Sequence, residues 1–169
     1  MRRAQTGASE AFGGLIARHQ GRVFGLLGFL LRDAAEREDV AQEAFLAAWR
    51  GLGSFDPARG AFSTWLLAIV RHRAYNALRR PHRSSSAGPE PFADAPPAGA
   101  GEIARRLDAA LLGLPVEQRL AFLLAEIHGL PLAAVAEIED VPEGTVKSRL
   151  ARARDHLRAA LRPSLEPRP

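Results

Sequence analysis

The sequence predicts an all-α protein made of two small helical domains joined by a flexible linker. Apolar residues recur at helical spacing before residue 80 and again after residue 102, and no strand-like alternation interrupts them. Between these parts, residues 81–101 contain five prolines, three glycines and three serines without periodicity of either kind. We therefore expect a domain over residues 9–80, a poorly ordered linker over 81–101 and a second domain over 102–162.

Composition limits the function without deciding it. Of the 169 residues, 47% are hydrophobic and 25% are charged, as in an ordinary globular protein. The net charge of +4 favours an anionic partner. The chain has no cysteine, which excludes disulfides and fits the cytoplasm, where we expect the protein. No apolar run approaches the length of a membrane span, so we expect no membrane insertion. Arg2 and Arg3 are followed by mostly polar residues and not by an apolar core, so we expect no signal peptide.

The first helix is predicted to begin at Ser9, a residue type that favours the N-cap position. An apolar stretch continues from Val23 to Leu31, although Gly25 and Gly28 weaken it. The first half of the helix places side chains at helical intervals, namely Phe12, Leu15, Ile16 and His19.

A second helix is predicted to begin near Asp33, and it is acidic. Five carboxylates and one cation lie between Asp33 and Glu43. Three polar residues are spaced i, i+3 and i+4, so they share one exposed face: Asp39, Gln42 and Glu43. Taken alone, this face is typical of an ordinary solvated helix surface. The stripe expected to be buried consists of Ala41, Ala44, Phe45 and Ala48.

A loop over residues 51–60 carries turn residues at Asp56 and Pro57. Ser63 or Thr64 is predicted to cap the helix that follows. Between Arg71 and Arg83 there are five arginines and no acid, and aromatic residues are interleaved with this basic strip: Phe62, Trp65 and Tyr75. The combination suits a nucleic-acid strand, because rings stack on unpaired bases while arginines hold phosphates. For Phe62 and Trp65 the alternative is core packing, which is favoured for Trp65.

Residues 132–160 predict a helix-turn-helix. An apolar first helix is followed by a short connection and by Pro142, which suits a first helical turn. The second helix has an apolar stripe of Val146, Leu150, Ala153 and Leu157. From Pro142 to Arg162 it carries six cations against two anions. Such a helix is typical of major-groove binding, although a solvated basic face on a packing helix stays open as an alternative.

Four segments together resemble one family: EDVAQEAFLAAWR, FSTWLLAIVRHRAYNALRR, LPVEQRLAFLL and VPEGTVKSRLARAR. In order, spacing and linker position, the chain resembles a minimal bacterial sigma factor of the extracytoplasmic-function (ECF) group of the sigma-70 family. The resemblance covers nearly the whole chain outside the linker and the termini. It implies a protein that binds core RNA polymerase, recognises two promoter elements and helps to open the DNA duplex. It also implies an anti-sigma factor as a further partner.

The resemblance assigns roles to particular residues. Core polymerase is expected to bind the acidic face of Asp39, Gln42 and Glu43. The linker corresponds to the connector that threads toward the polymerase active centre and RNA exit path. The minus-thirty-five element is expected to contact Thr145, Lys147, Ser148, Arg149 and Arg152. The minus-ten element is expected to contact the loop and third helix at Phe55, Arg59, Ser63, Thr64, Trp65, Arg71, His72, Tyr75, Asn76, Arg79 and Arg80.

Two positions depart from the family pattern, and two other classes of function are alternatives. Many relatives carry Asn and Asp where this chain has His72 and Asn76, so no base preference is carried over there. A stand-alone helix-turn-helix regulator would explain the C-terminal domain but neither the acidic helix nor the aromatic-basic strip. The five histidines lack ligand spacing, and no phosphate-binding glycine loop is present. We therefore expect no catalytic site, no metal and no cofactor.

Overall fold

The computed structural model describes residues 9–79 and 102–165, and within these ranges the chain is helical without a strand. The all-α prediction is confirmed. The described residues divide into two compact units, one built from the three helices before residue 80 and the other mainly from the helices after residue 101. The expected linker over 81–101, Arg80 and the side chain of Ser9 lie outside what the structure describes, and the domain limits stay a prediction.

Helix α1 spans Ser9–Leu30 in one piece. Its second half buries four side chains at positions i, i+3, i+4 and i+7, namely Val23, Leu26, Leu27 and Leu30. The helix continues through Gly25 and Gly28. A glycine costs about 1 kcal/mol relative to alanine in a helix, whereas burial of a leucine contributes about 1.5–3 kcal/mol. Core burial therefore outweighs the weak local propensity.

Helix α2 spans Ala34–Gly51 and begins where the sequence predicts. Asp33 is the N-cap residue, with extended backbone, and its Oδ1 accepts a hydrogen bond of 2.9 Å from the Glu36 amide. Three small side chains are fully buried along the helix: Ala41, Ala44 and Ala48. Because they are small, α2 packs against both α1 and the following helix.

A 3₁₀ turn at Leu52–Ser54 and a loop connect α2 to helix α3, which spans Phe62–Arg79. The predicted turn is present, since Asp56 Oδ1 accepts a hydrogen bond from the Ala58 amide at 2.9 Å. The expected cap at Ser63 or Thr64 is wrong, because both residues lie inside the first helical turn. Phe62 is buried among aromatic rings, and this packing extends the helix upstream of the residues that favour a cap.

The second unit is built around its last helix, α7, at Glu143–Leu165. Helices α4 at Glu102–Leu112 and α5 at Val116–Phe122 pack against α7. A π-helical turn at Leu123–Ile127 ends α5. All four residues of the predicted stripe on α7 are buried: Val146, Leu150, Ala153 and Leu157.

Helix α6 spans Leu132–Glu139 and forms the helix-turn-helix with α7. Asp140 follows α6 with a φ of 53°, in the left-handed region that Asp tolerates better than most residues. The Val141 amide then donates to the Ala136 carbonyl at 3.1 Å. The Pro142 carbonyl accepts from the Thr145 amide at 2.9 Å, so Pro142 stands at the entry of α7, as predicted.

Candidate polymerase and nucleic-acid surfaces

The acidic residues of α2 form one exposed face. Asp39, Gln42 and Glu43 are all exposed, while Val40 and Ala41 beside them are buried. Their predicted common face is therefore present. Glu43 Oε2 lies 3.7 Å from Arg73 Nη1 of α3, and both side chains are largely exposed. A pair so exposed leaves the carboxylate available to another partner.

An apolar groove borders this acidic face, and the sequence did not predict it. Its volume is about 430 Å³. Trp49 and Phe12 meet edge to face there, with ring centroids 4.8 Å apart. Leu46 is 47% exposed and Trp49 36% exposed, so the groove presents contiguous apolar surface to solvent. The groove is lined by Phe12, Gly13, Phe24, Glu38, Ala41, Gln42, Phe45, Leu46 and Trp49.

One sequence signal pointed toward this groove. Leu46 falls outside the stripe of Ala41, Ala44, Phe45 and Ala48, so a helix that buries this stripe turns Leu46 toward solvent. The position of α1 beside α2 could not be predicted from the sequence. Helix α1 contributes Phe12 and Phe24 to the apolar lining. Gln42 belongs to both the groove and the acidic face, which makes the two surfaces continuous.

An aromatic cluster joins the loop to the start of α3. Phe55 lies 5.7 Å from Phe62 and 5.3 Å from Trp65 between ring centroids, and Phe62 lies 5.6 Å from Trp65. His19 of α1 contacts Phe62 at 5.3 Å. Phe55 and Phe62 are buried, whereas Trp65 is only half-buried. Core packing therefore accounts for Phe55 and Phe62, while Trp65 keeps accessible ring surface.

The remaining candidate residues around this cluster differ in exposure. Arg59 is exposed in the loop, Ser63 is half-buried and Thr64 is buried. Along α3, the half-buried Arg71 guanidinium lies 4.9 Å from the centroid of the Tyr75 ring. His72, Asn76 and Arg79 are exposed on the same helix. The strip thus combines accessible cations with ring surface, which suits a nucleic-acid strand.

The polar face of α7 is presented opposite its buried stripe. Lys147, Ser148 and Arg152 are exposed, whereas Thr145 and Arg149 are half-buried. The Ser148 hydroxyl donates to the Thr145 carbonyl at 2.8 Å, which holds one side chain of the first turns against the backbone. The first turns of α7 therefore carry the polar groups expected of a helix that reads bases.

Two arginines of α7 are held by carboxylates. Arg154 forms an ion pair with Glu126 of the π-helical turn. Arg158 Nη1 lies 3.2 Å from Asp155 Oδ1 on the same helix. Neither arginine belongs to the set expected to read bases. Arg154 forms its ion pair with a residue of the same unit.

Across residues 9–79 and 102–165, no cluster of histidine, aspartate and glutamate is arranged to hold a metal ion. In the part of the chain that the structure covers, no helix is long and apolar enough to cross a membrane.

Both parts of the chain match a known protein family. Residues 15–84 match the family described as Sigma-70 region 2, and residues 104–157 match Sigma-70, region 4. The chain is 36% identical to the RNA polymerase sigma-H factor of Pseudomonas aeruginosa, across 96% of this chain and 92% of that protein. It is 38% identical to the ECF RNA polymerase sigma factor SigM of Mycobacterium tuberculosis, across 89% and 77% of the two chains.

Solved structures give the same result. The chain is similar to CnrH in its complex with the cytosolic domain of CnrY, with a TM-score of 0.73, 26% identity and coverage of 96% and 94% of the two chains. It is similar to RpoE of Bartonella quintana in complex with the anti-sigma factor NepR, with a TM-score of 0.77, 25% identity and coverage of 90% and 98%. The chain therefore belongs to the sigma-70 family, as a sigma factor of its ECF group.

Proposed function

We propose that this sigma factor directs core RNA polymerase to promoters through three surfaces of its own. The acidic face of α2 binds polymerase, the loop and α3 capture the minus-ten element, and the first turns of α7 read the minus-thirty-five element. The observation that carries the proposal is the presence of all three surfaces in a chain that matches sigma-70 regions 2 and 4. A stand-alone helix-turn-helix regulator is not favoured, because it leaves region 2 without a role.

The polymerase surface combines charge with apolar area. Asp39, Gln42 and Glu43 supply polar groups on the exposed face, and the groove beside them supplies Leu46 and Trp49. Protein interfaces pair an apolar centre, often aromatic, with a polar rim. The groove therefore serves as the centre and the acidic residues as the rim, and Gln42 belongs to both.

Some residues proposed for the minus-ten surface are buried and support it, whereas others are accessible and can contact DNA. The buried Phe55 packs the loop against α3 and Thr64 is buried within α3, whereas Arg59, Ser63 and Trp65 have surface that a captured strand can reach. The exposed part of α3 extends this surface through His72, Asn76 and Arg79, with Arg71 and Tyr75 stacked together. Arg80 is assigned to the same strip by its place in the sequence.

The minus-thirty-five surface lies on the first three turns of α7. Arg149 and Arg152 are the residues suited to bond guanine edges, and Lys147 is suited to phosphate. Thr145 and Ser148 lie between them on the same polar face. We further propose that the protein acts in the cytoplasm, has no catalytic centre of its own and is held by an anti-sigma factor, as RpoE is in its complex with NepR.

Capture of core polymerase tests the first surface. Changing both Asp39 and Glu43 to Lys reverses the charge of the acidic face, and it should lower the affinity for core polymerase by at least about tenfold. The fold should persist, because exposed substitutions usually change stability by about 0.5 kcal/mol or less. Arg73→Ala is the matched control, since it removes the ion pair with Glu43 but keeps the carboxylate. A folded double variant that binds core polymerase as tightly as the wild type would overturn this assignment.

A further inference from the structure

From Ala11 onward, helix α1 carries arginines and no acid. Between Ala11 and Arg32 the sequence contains three arginines and no carboxylate. Arg18 and Arg22 are exposed and lie one helical turn apart, so they share one face. No carboxylate among the described residues forms an ion pair with either of them. Two neighbouring guanidinium groups that are not paired with a described carboxylate can bind an anion together.

This arginine pair adjoins the aromatic cluster. His19 lies next to Arg18 in the chain, and Arg18 and Arg22 fall on the same side of His19 around the helix. The His19 ring contacts Phe62 at 5.3 Å, and Phe62 in turn contacts Phe55 and Trp65. The pair therefore stands on the part of α1 that borders the base of the loop and the first turn of α3.

The electrostatics of His19 agree with this placement. Burial, followed by the charges of Arg22 and then Arg18, lowers the pKa of the His19 imidazole below its ordinary value. The two guanidinium charges therefore act on the ring that touches Phe62. A positive field is present at the edge of the aromatic cluster.

We propose that Arg18 and Arg22 bind phosphates of the single-stranded promoter DNA captured by the loop and α3, so that α1 extends the minus-ten surface. Strand-binding proteins combine aromatic rings that stack on bases with cations that follow the backbone. Trp65 supplies accessible ring surface, and the arginine pair supplies cations on the α1 side of it. The inference rests on the proposed role of the loop and α3 in strand capture.

Salt dependence of strand binding tests this inference. The probe is a fluorescein-labelled, non-template single strand of a promoter selected by the wild-type holoenzyme, titrated with holoenzyme at several salt concentrations. Each phosphate contact on a single strand contributes about 0.7 to the slope of log affinity against log salt. Arg18→Gln and Arg22→Gln should each reduce the slope by about 0.7, and the double variant should reduce it by about 1.4.

The double variant should also bind the strand roughly threefold to tenfold more weakly at low salt. Arg32→Gln is the matched control, because it removes the same charge from an exposed position just beyond the other end of α1. Its slope and affinity should equal those of the wild type. Core polymerase affinity should be the same for all variants.

Three results would overturn the inference. A double variant with the wild-type slope and affinity would show that the arginines hold no phosphate. A double variant that loses affinity for core polymerase would assign the pair to a protein contact. If the wild-type holoenzyme fails to bind the strand, the proposed strand capture by the loop and α3 is wrong. This outcome is observed with the wild type alone, so it can be told apart from a failure of the arginine assignment.

Discussion

The Asn76 side chain hydrogen-bonds to His72 across one turn of α3, with 3.1 Å between Asn76 Nδ2 and His72 Nε2. This contact restricts the rotation of both side chains. Both residues are exposed on the helix proposed to face the minus-ten element. They are also the two positions at which the sequence was expected to depart from the family pattern. His72 and Asn76 therefore form a pair, in which each side chain orients the other.

This pairing predicts that His72 and Asn76 act together in base preference. His72→Ala and Asn76→Ala should each change the sequence selected in a library randomised over the minus-ten element. The double variant should resemble either single variant, because residues in direct contact are usually non-additive. Arg79→Ala is the control on the same helix, and it should weaken binding about equally for all sequences. Strictly additive effects of the two substitutions would contradict a shared role.

The polar face of α7 predicts a split between base reading and phosphate binding. Arg149→Ala or Arg152→Ala should flatten the preference selected in the minus-thirty-five element, with a loss of about 1–3 kcal/mol in discrimination. Arg158 lies further along the helix and pairs with Asp155, so Arg158→Ala should lower activity about equally across promoters and reduce its salt dependence. Recovery of the wild-type consensus, with wild-type steepness, by the Arg149 and Arg152 variants would show that these residues do not read bases.

The second unit offers a test of stability at Arg119. One guanidinium nitrogen, Nη2, donates to the carbonyls of Leu112 and Leu114, both at 2.8 Å, and so ties the end of α4 to α5. Arg119→Ala leaves these carbonyls without that donor, and we expect a loss of about 1–3 kcal/mol in the free energy of unfolding. Arg119→Lys should recover only part of it, because an ammonium does not reproduce the planar geometry of the guanidinium. Urea denaturation measures both, and an unchanged midpoint for Arg119→Ala would contradict the assignment.

The lowered pKa of His19 predicts a weak dependence of stability on pH. Its folded-state pKa lies below the unfolded value of about 6.5, so the unfolded chain binds more protons as the pH falls. The contribution of His19 is therefore fully present above that value and is lost as the pH falls toward the lowered pKa. His19→Gln should lose less thermal stability between about pH 7.5 and pH 5.5 than the wild type does. Equal losses in the two proteins would show that His19 does not contribute.

The elements set by local chemistry were predictable from the sequence. Asp33 caps α2 and Asp56 forms its turn, because each of these depends on nearby residues alone. The stripe from Val146 to Leu157 is buried, as its helical periodicity predicts. The start of α3 was not predictable in this way. Phe62 is part of the helix and contacts Phe55 and Trp65. This packing outweighs the capping preference of Ser63 and Thr64.

The candidate surfaces, too, were only partly predictable from the sequence. The common face of Asp39 and Glu43 follows from helical spacing, and the structure confirms their exposure. The groove beside them requires Phe12 and Phe24 of α1 to meet Leu46 and Trp49 of α2, which no local pattern encodes. The left-handed backbone of Asp140 and the contact of His19 with Phe62 also depend on how the helices are arranged.

Transcription in vitro tests the central claim most directly. Core RNA polymerase is supplied with a promoter library, and transcripts are sequenced in the presence and absence of the purified chain. The account predicts that the chain yields transcripts from a defined set of promoters sharing two separated elements. It also predicts that Asp39→Lys with Glu43→Lys abolishes them, whereas Arg73→Ala preserves them. Transcripts that are identical with and without the chain would contradict its function as a sigma factor.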